Sequence, residues 1–165
     1  MGQRMTAVKT SIFTLLVPGT VAVFVPYLLV RADMGVFRWS LSAAHFVGGL
    51  LMLCGASLGL WCAGLFAVVG KGTPAPIDPP KDLVAVGAYR VVRNPMYVGI
   101  ASVLFGEALF FHSATLAVYA LAVTTGFHLF VVLYEEPALR KQFGKSYEDY
   151  CLIVSRWLPK IPPRY

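Results

Sequence analysis

Apolar positions along this chain fall into four long runs separated by polar stretches. Ser11–Val30 is the first run, about 20 residues, enough to cross a bilayer core as a helix. Pro18 and Pro26 interrupt it and predict kinks, which a membrane helix tolerates when neighbours satisfy the freed carbonyls. Arg31, Asp33, Arg38 and Trp39 mark an interfacial loop. Ala43–Val69 is the second run, long enough to tilt. Within it Gly55, Gly59, Ala63 and Ala67 form a small-residue stripe that lets another helix approach closely. Pro95–Phe111 is the third run. The short turn His112-Ser113-Ala114-Thr115 joins it to the fourth, Leu116–Leu133, so these two predict a helical hairpin.

Between the second and third runs lies the polar stretch Lys71–Asn94, with Thr73-Pro74-Ala75-Pro76 and Asp78-Pro79-Pro80-Lys81. Such proline density favours extended backbone over helix. The fourth run continues into Glu135–Phe143, where Pro137 predicts a kink near Leu133 and Gly144 a stop. Ser146, with Asp149 three positions on, reads as a capping box opening a helix over Tyr147–Ser155. Its Tyr147, Tyr150, Val154 and Trp157 suit the membrane interface.

The expected fold is therefore all-α: a multi-pass transmembrane bundle of about four spans with a short C-terminal interfacial helix. One membrane-embedded domain covers 1–165, with a two-span region over 1–69 and a polar-ended region over 70–165. Composition agrees. Of 165 residues, 58% are hydrophobic and 13% charged, and the mean hydropathy is +0.69. A net charge of +6 would suggest nucleic acid in a soluble protein. Here the basic residues segregate. With a cytoplasmic N-terminus, Arg4, Lys9, Lys71, Lys81, Arg90, Arg93, Arg140, Lys141, Lys145, Arg156, Lys160 and Arg164 share the cytoplasmic side, against Arg31 and Arg38 on the other. The partner implied is a lipid bilayer, with both termini and any cofactor pocket on the cytoplasmic face. Cys54, Cys62 and Cys151 form no Cys-x-x-Cys pair, so no metal site is expected.

Candidate chemistry gathers where the loop re-enters the third run. Pro95 suits the first helical position and Asn94 the N-cap. The free N–H groups of that helix start, beside Tyr89, Arg90 and Arg93, suit a carboxylate or phosphate. A plain helix start with basic flanks at the lipid surface fits the same residues. Glu136 and Arg140, four apart, predict a surface pair. That leaves Glu135 to face the bundle, where it can hold an ammonium, a sulfonium, or Arg90 or Arg93. Glu107 and His128, inside the third and fourth runs, are weaker candidates for a base or a substrate contact, and each equally suits a satisfied interior residue.

Two motifs in order carry a resemblance. The first is Leu83-Val84-x-x-Gly87-x-Tyr89-x-x-x-Arg93-Asn94-Pro95-Met96-Tyr97-x-Gly99. The second is Glu135-Glu136-x-x-Leu139-x-x-x-Phe143-Gly144-x-x-Tyr147-x-x-Tyr150, followed by Arg156-Trp157-Leu158-Pro159. Over roughly residues 70–160 the chain resembles the isoprenylcysteine carboxyl methyltransferase and phospholipid methyltransferase superfamily of membrane enzymes. The resemblance implies a methyltransferase-like catalytic region over 70–165, isoprenylcysteine carboxyl methyltransferase-like, with S-adenosylmethionine as cofactor and a lipophilic or small methyl acceptor. It implies Lys81, Asp82, Leu83, Val84, Tyr89, Asn94, Pro95, Met96, Tyr97 and Glu135 as cofactor-binding residues, with Glu135, Arg93 and Tyr97 at the catalytic centre. Asn94 stands where members commonly carry His, and Val131 where members acting on prenylcysteine carry an arginine. Three other readings stay open: a phospholipid amine N-methyltransferase, an NADPH-dependent membrane reductase, and a non-catalytic scaffold or homo-oligomer packed through the Gly55/Gly59 face. Ile100, where such reductases place an acidic residue, argues against the second.

Overall fold

The computed structural model describes residues 16–33, 42–70 and 83–160, and among these it is all-helical apart from loops and one isolated bridge between Val92 and Ser155. The proline-rich stretch 71–82, including Lys81 and Asp82, lies outside the described residues, as do Arg4, Lys9, Arg38 and Trp39. Helix α1 covers 16–33, α2 Ala43–Leu65, α3 Pro95–Phe110 and α4 Ala114–Phe130. Helix α4 continues through a π-helical turn, Val131–Glu135, into α5, Glu136–Phe143, and α6 is Lys145–Ile153. Two helices are long and apolar enough to cross a membrane, Ala43–Leu65 and the continuous Ala114–Phe143, while α1 and α3 are shorter apolar helices. Phe46, Leu50, Leu53, Leu60, Val118, Leu121 and Leu133 are each more than 60% exposed. Water would penalise that surface heavily; hydrocarbon does not.

Helices α2 and α3 pack antiparallel through two reciprocal glycine pairs. A Cβ on Gly55 would lie 2.5 Å from the Gly99 carbonyl oxygen, and one on Gly99 would lie 2.8 Å from that of Gly55. Two turns away, Gly48 and Gly106 meet in the same way, at 2.6 and 2.7 Å. The backbones touch, so only hydrogen fits between them. The small-residue stripe is thus used inside the chain: α3 occupies the Gly55 side of α2, which is not free to seat a second copy. The seam also takes in Gly59 and Met52 of α2: a Cβ on Gly99 would lie 3.1 Å from the Gly59 N, and one on Gly106 would lie 2.8 Å from Met52 Cγ. A Cβ on Gly59 would meet nothing within 4 Å.

Prolines act through π turns. Thr20–Phe24 is π-helical and Pro26 follows two residues later; Val131–Glu135 is π-helical and Pro137 follows at the same offset. A proline ring collides with the carbonyl four residues back, and widening the preceding turn relieves the collision. In α1 the Val25 N–H donates to Thr20 O across the wide turn. The next donor in that register would be Pro26, which has none. The Val21 carbonyl is therefore orphaned inside an apolar helix, and the Tyr119 hydroxyl of α4 donates to it at 2.9 Å. This bond ties α1 to α4 above a core of Ala22, Leu104 and Ala120.

The α3–α4 connection is tight. His112 takes a positive φ of 49°, and the Ser113 hydroxyl accepts the Leu116 N–H at 3.2 Å as the N-cap of α4. Gly144, at φ 53° and ψ −129°, ends α5 and begins α6 with no linker. Helix α6 accordingly starts at Lys145, and Ser146 lies inside its first turn instead of capping it. The glycine permits an abrupt change of direction that the capping-box spacing does not register.

Candidate functional site

The loop before α3, the N-terminal turn of α3 and the α4–α5 junction converge on two adjoining cavities. The first, about 240 Å³, is bordered by Leu83 and Val84 of the loop, by Tyr134 and Glu136, and by Gln142, Phe143, Tyr147 and Tyr150. The second, about 400 Å³, is bordered by Val17, Pro18 and Val21 of α1, by Met96, Tyr97 and Ile100 of α3, and by Phe127 of α4. Phe66, Tyr89, Arg93, Asn94, Phe130 and Glu135 line both. Glu135 thus stands where a polar-mouthed chamber meets a chamber walled mostly by apolar side chains.

The two adjacent acids have opposite environments. Glu136 is 2% exposed and is the hub of three guanidinium groups. Arg156 Nε lies 2.6 Å from its Oε1, Arg93 Nη2 lies 3.2 Å from the same oxygen, and Arg140 Nη2 lies 3.4 Å from Oε2. The expected Glu136–Arg140 pair exists, but Glu136 is buried and the pair is no isolated surface contact. Two more arginines, remote in sequence, reach it: Arg93 from just before α3, and Arg156 from the C-terminal segment that folds back over the α3 start. The Glu136 hydrogen bond pushes the Arg156 guanidinium pKa above its ordinary value. Arg93 is held by Glu136, and its Nε is buried without a partner.

Glu135 is bonded differently. Tyr97 Oη donates to its Oε2 at 2.8 Å, and among the described residues no cation pairs with it. Of the cations open to Glu135, Arg93 is paired with Glu136 instead. Arg90 is exposed on the short turn Gly87–Arg90.

Asn94 does occupy the N-cap position of α3, with Pro95 next, yet its side chain makes no capping bond. Its Nδ2 donates instead to the Arg156 carbonyl at 3.3 Å. Tyr89 is buried against Cys62, Val84 and Ala88, and its carbonyl accepts the Tyr150 hydroxyl. Burial raises the pKa of both phenols, so each is a neutral donor at physiological pH. Arg93 N–H donates to Ser155 O at 2.8 Å, completing the strap of C-terminal backbone across the α3 start.

Of the sequence-designated residues, Leu83, Val84, Tyr89, Arg93, Asn94, Met96, Tyr97 and Glu135 therefore border one or both cavities, while Pro95 is buried and borders neither. Glu107 and His128 border neither cavity. Glu107 is buried in α3, and the exposed His128 accepts the Trp157 indole N–H at 3.1 Å. Phe66, Phe130 and Tyr134 line the site although their sequence context does not single them out, since nothing in an apolar run distinguishes a cavity wall from a lipid contact.

Fold and site define a membrane protein of apolar helices that enclose a charged chamber at the α3 start. The chain belongs to the phospholipid methyltransferase family, whose model matches residues 43–146, from the first turn of α2 to the first turn of α6. That family is part of the membrane methyltransferase superfamily that includes the isoprenylcysteine carboxyl methyltransferases. Among curated proteins and among solved structures, none matches the chain. The match makes this a membrane methyltransferase and covers both cavity-forming motifs up to Ser146.

Proposed function

We propose that the protein transfers a methyl group from S-adenosylmethionine to a lipophilic acceptor at Glu135. The observation that carries this reading is a carboxylate lined into both cavities, aimed by Tyr97 and left without a cation among the described residues. Such a group attracts an ammonium or sulfonium. Nearby, Arg93 keeps a buried, unpartnered Nε and the α3 start lacks a side-chain cap, so donors for a carboxylate are at hand. Groups of both signs around one chamber fit the zwitterionic end of the cofactor. Leu83, Val84, Tyr89 and Asn94 would line it, with Lys81 and Asp82 contributing from the preceding loop.

When bound, S-adenosylmethionine supplies an activated methyl on a sulfonium sulfur. This chain's residues bind, orient and exclude water, which is most of what such a displacement needs. The acceptor would enter the second, more apolar cavity from the bilayer, between α1 and the α3–α4 hairpin. Among acceptors, the family match favours a phospholipid amine over a prenylcysteine carboxylate. Val131, fully buried, supplies no cation for an acceptor carboxylate. Among the described residues Glu135 is the one carboxylate lining the second cavity, and it would draw an ammonium headgroup to the reaction point and take up its proton, leaving a neutral amine whose lone pair can accept the methyl group. All four apolar helices would cross the bilayer, with the cavities on the cytoplasmic side, where the basic residues concentrate.

Calorimetry of S-adenosylmethionine on purified protein tests the reading, with Glu135→Gln and Tyr97→Ala alongside. Binding that weakens about tenfold or more in both variants while they stay folded, about 1.4 kcal/mol, supports it. No binding to the wild type at millimolar cofactor, with NADPH tested in parallel, sinks it.

A further inference from the structure

The C-terminal segment after α6 touches the site at successive residues. Ser155 O accepts Arg93 N–H, Arg156 reaches Glu136 and offers its carbonyl to Asn94, and Trp157 comes next. With its two neighbours fixed, Trp157 turns its ring edge-on toward Tyr97, 6.5 Å between centroids at 67°. Tyr97 also meets Phe127 of α4, 4.8 Å between centroids. The Tyr97 ring therefore meets both α4 and the C-terminal strap, and its hydroxyl is the group that bonds Glu135.

Trp157 is itself anchored. Its indole Nε1–H lies 3.1 Å from His128 Nδ1, and the rings are 6.0 Å apart. An indole nitrogen can only donate, so His128 Nδ1 is the accepting nitrogen and the imidazole proton sits on Nε2. His128 lies seven residues before Glu135 on the same continuous helix, so one helix carries both the anchor and the carboxylate.

We infer that Trp157, anchored by His128, is a positioning residue that aims the Tyr97 hydroxyl at Glu135. This rests on the reading of Glu135 as a cofactor carboxylate. Tyr97 sits in the first turn of α3, and the Phe127 and Trp157 rings are the aromatic contacts that hold its ring in place among the described residues. His128 thereby has a role in the site without bordering either cavity.

The test is S-adenosylmethionine affinity by calorimetry across a small set of variants, with melting temperature as the folding check. Trp157→Ala weakens binding about fivefold, about 1 kcal/mol. Trp157→Phe, which keeps a ring beside Tyr97 but has no N–H, and His128→Ala weaken it less and to a similar degree. His128→Gln restores much of the affinity by offering a carbonyl acceptor. In a Tyr97→Phe background, with no hydroxyl to aim, Trp157→Ala has no further effect. Additive losses there, or wild-type affinity in folded Trp157→Ala or Trp157→Phe, overturn the inference and leave the proposed function standing. A wild type that binds no cofactor overturns both.

Discussion

Arg93 Nη2 lies 3.2 Å from Glu136 Oε1, and Glu135, the next residue back along the helix, takes a phenol hydroxyl instead. The pair joins the α3 start to the α4–α5 helix with both side chains at most 10% exposed. Removing one member of a buried pair leaves an uncompensated charge, which costs more than the intact pair contributes. Glu136→Gln strands Arg93 and frees Arg156, so it lowers unfolding stability by about 3 kcal/mol. Thermal unfolding in detergent reads this as a large drop in melting temperature. Glu135→Gln, with no ion pair to lose among the described residues, shifts it far less. Equal effects in the two variants would refute the division between a structural and a ligand-facing acid.

Tyr97→Phe separates binding from stability. It removes one hydrogen bond to a carboxylate in a cavity wall and leaves the ring packing against Phe127 intact. Hydrogen bonds to charged groups contribute about 1.5–3 kcal/mol, so cofactor affinity falls by at least about tenfold. The melting temperature changes little, because the ring stays where it is. A matching loss of stability would mean that the hydroxyl braces the fold.

The sequence signals that worked are those whose physics is local. Pro95 after Asn94 marks the start of α3, Gly144 marks the end of α5, and Pro137 marks a distortion, which the structure resolves as a π turn over Val131–Glu135. Unbroken apolar runs locate the helices. What failed depends on chain far away. Nothing near Glu136 announces that Arg93 and Arg156 will reach it, so the acid that spacing assigns to an exposed i,i+4 pair is a buried hub. The Asn94 amide is diverted from its cap by the Arg156 carbonyl, a partner 62 residues away. Gly48 and Gly106 carry no signal of their own, because their spacing has meaning only once α2 and α3 are set side by side.

That seam gives a contrast between glycines of one helix. A Cβ on Gly55 would sit 2.5 Å from a backbone oxygen that cannot move without α3. Gly55→Ala forces the helices apart and costs about 1–3 kcal/mol, as overpacking does. Gly59→Ala meets open space and gains up to about 1 kcal/mol of helix propensity. Melting temperatures of the two variants should therefore move in opposite directions. A tolerated Gly55→Ala would show that the helices do not touch at that point.

The Tyr119 bond to Val21 is a prediction about α1. Because Val25 donates to Thr20 across the π turn and Pro26 has no N–H, Val21 O depends on the phenol in a medium that supplies no water. Tyr119→Phe deletes the donor and leaves the ring. Side-chain bonds between membrane helices contribute about 0.6 kcal/mol on average and rarely above about 1.7. Here the carbonyl has no alternative donor in its own helix, so about 1 kcal/mol or more is expected. The effect should concentrate in α1, which borders the second cavity through Val17, Pro18 and Val21. Hydrogen exchange is the measurement: faster exchange across 20–25 in Tyr119→Phe, with α2 and α3 unchanged. Pro26→Ala supplies a donor at the missing position and should remove the dependence on Tyr119. If Tyr119→Phe loosens α1 as much in the Pro26→Ala background as in the wild type, the orphaned carbonyl is not what the phenol serves.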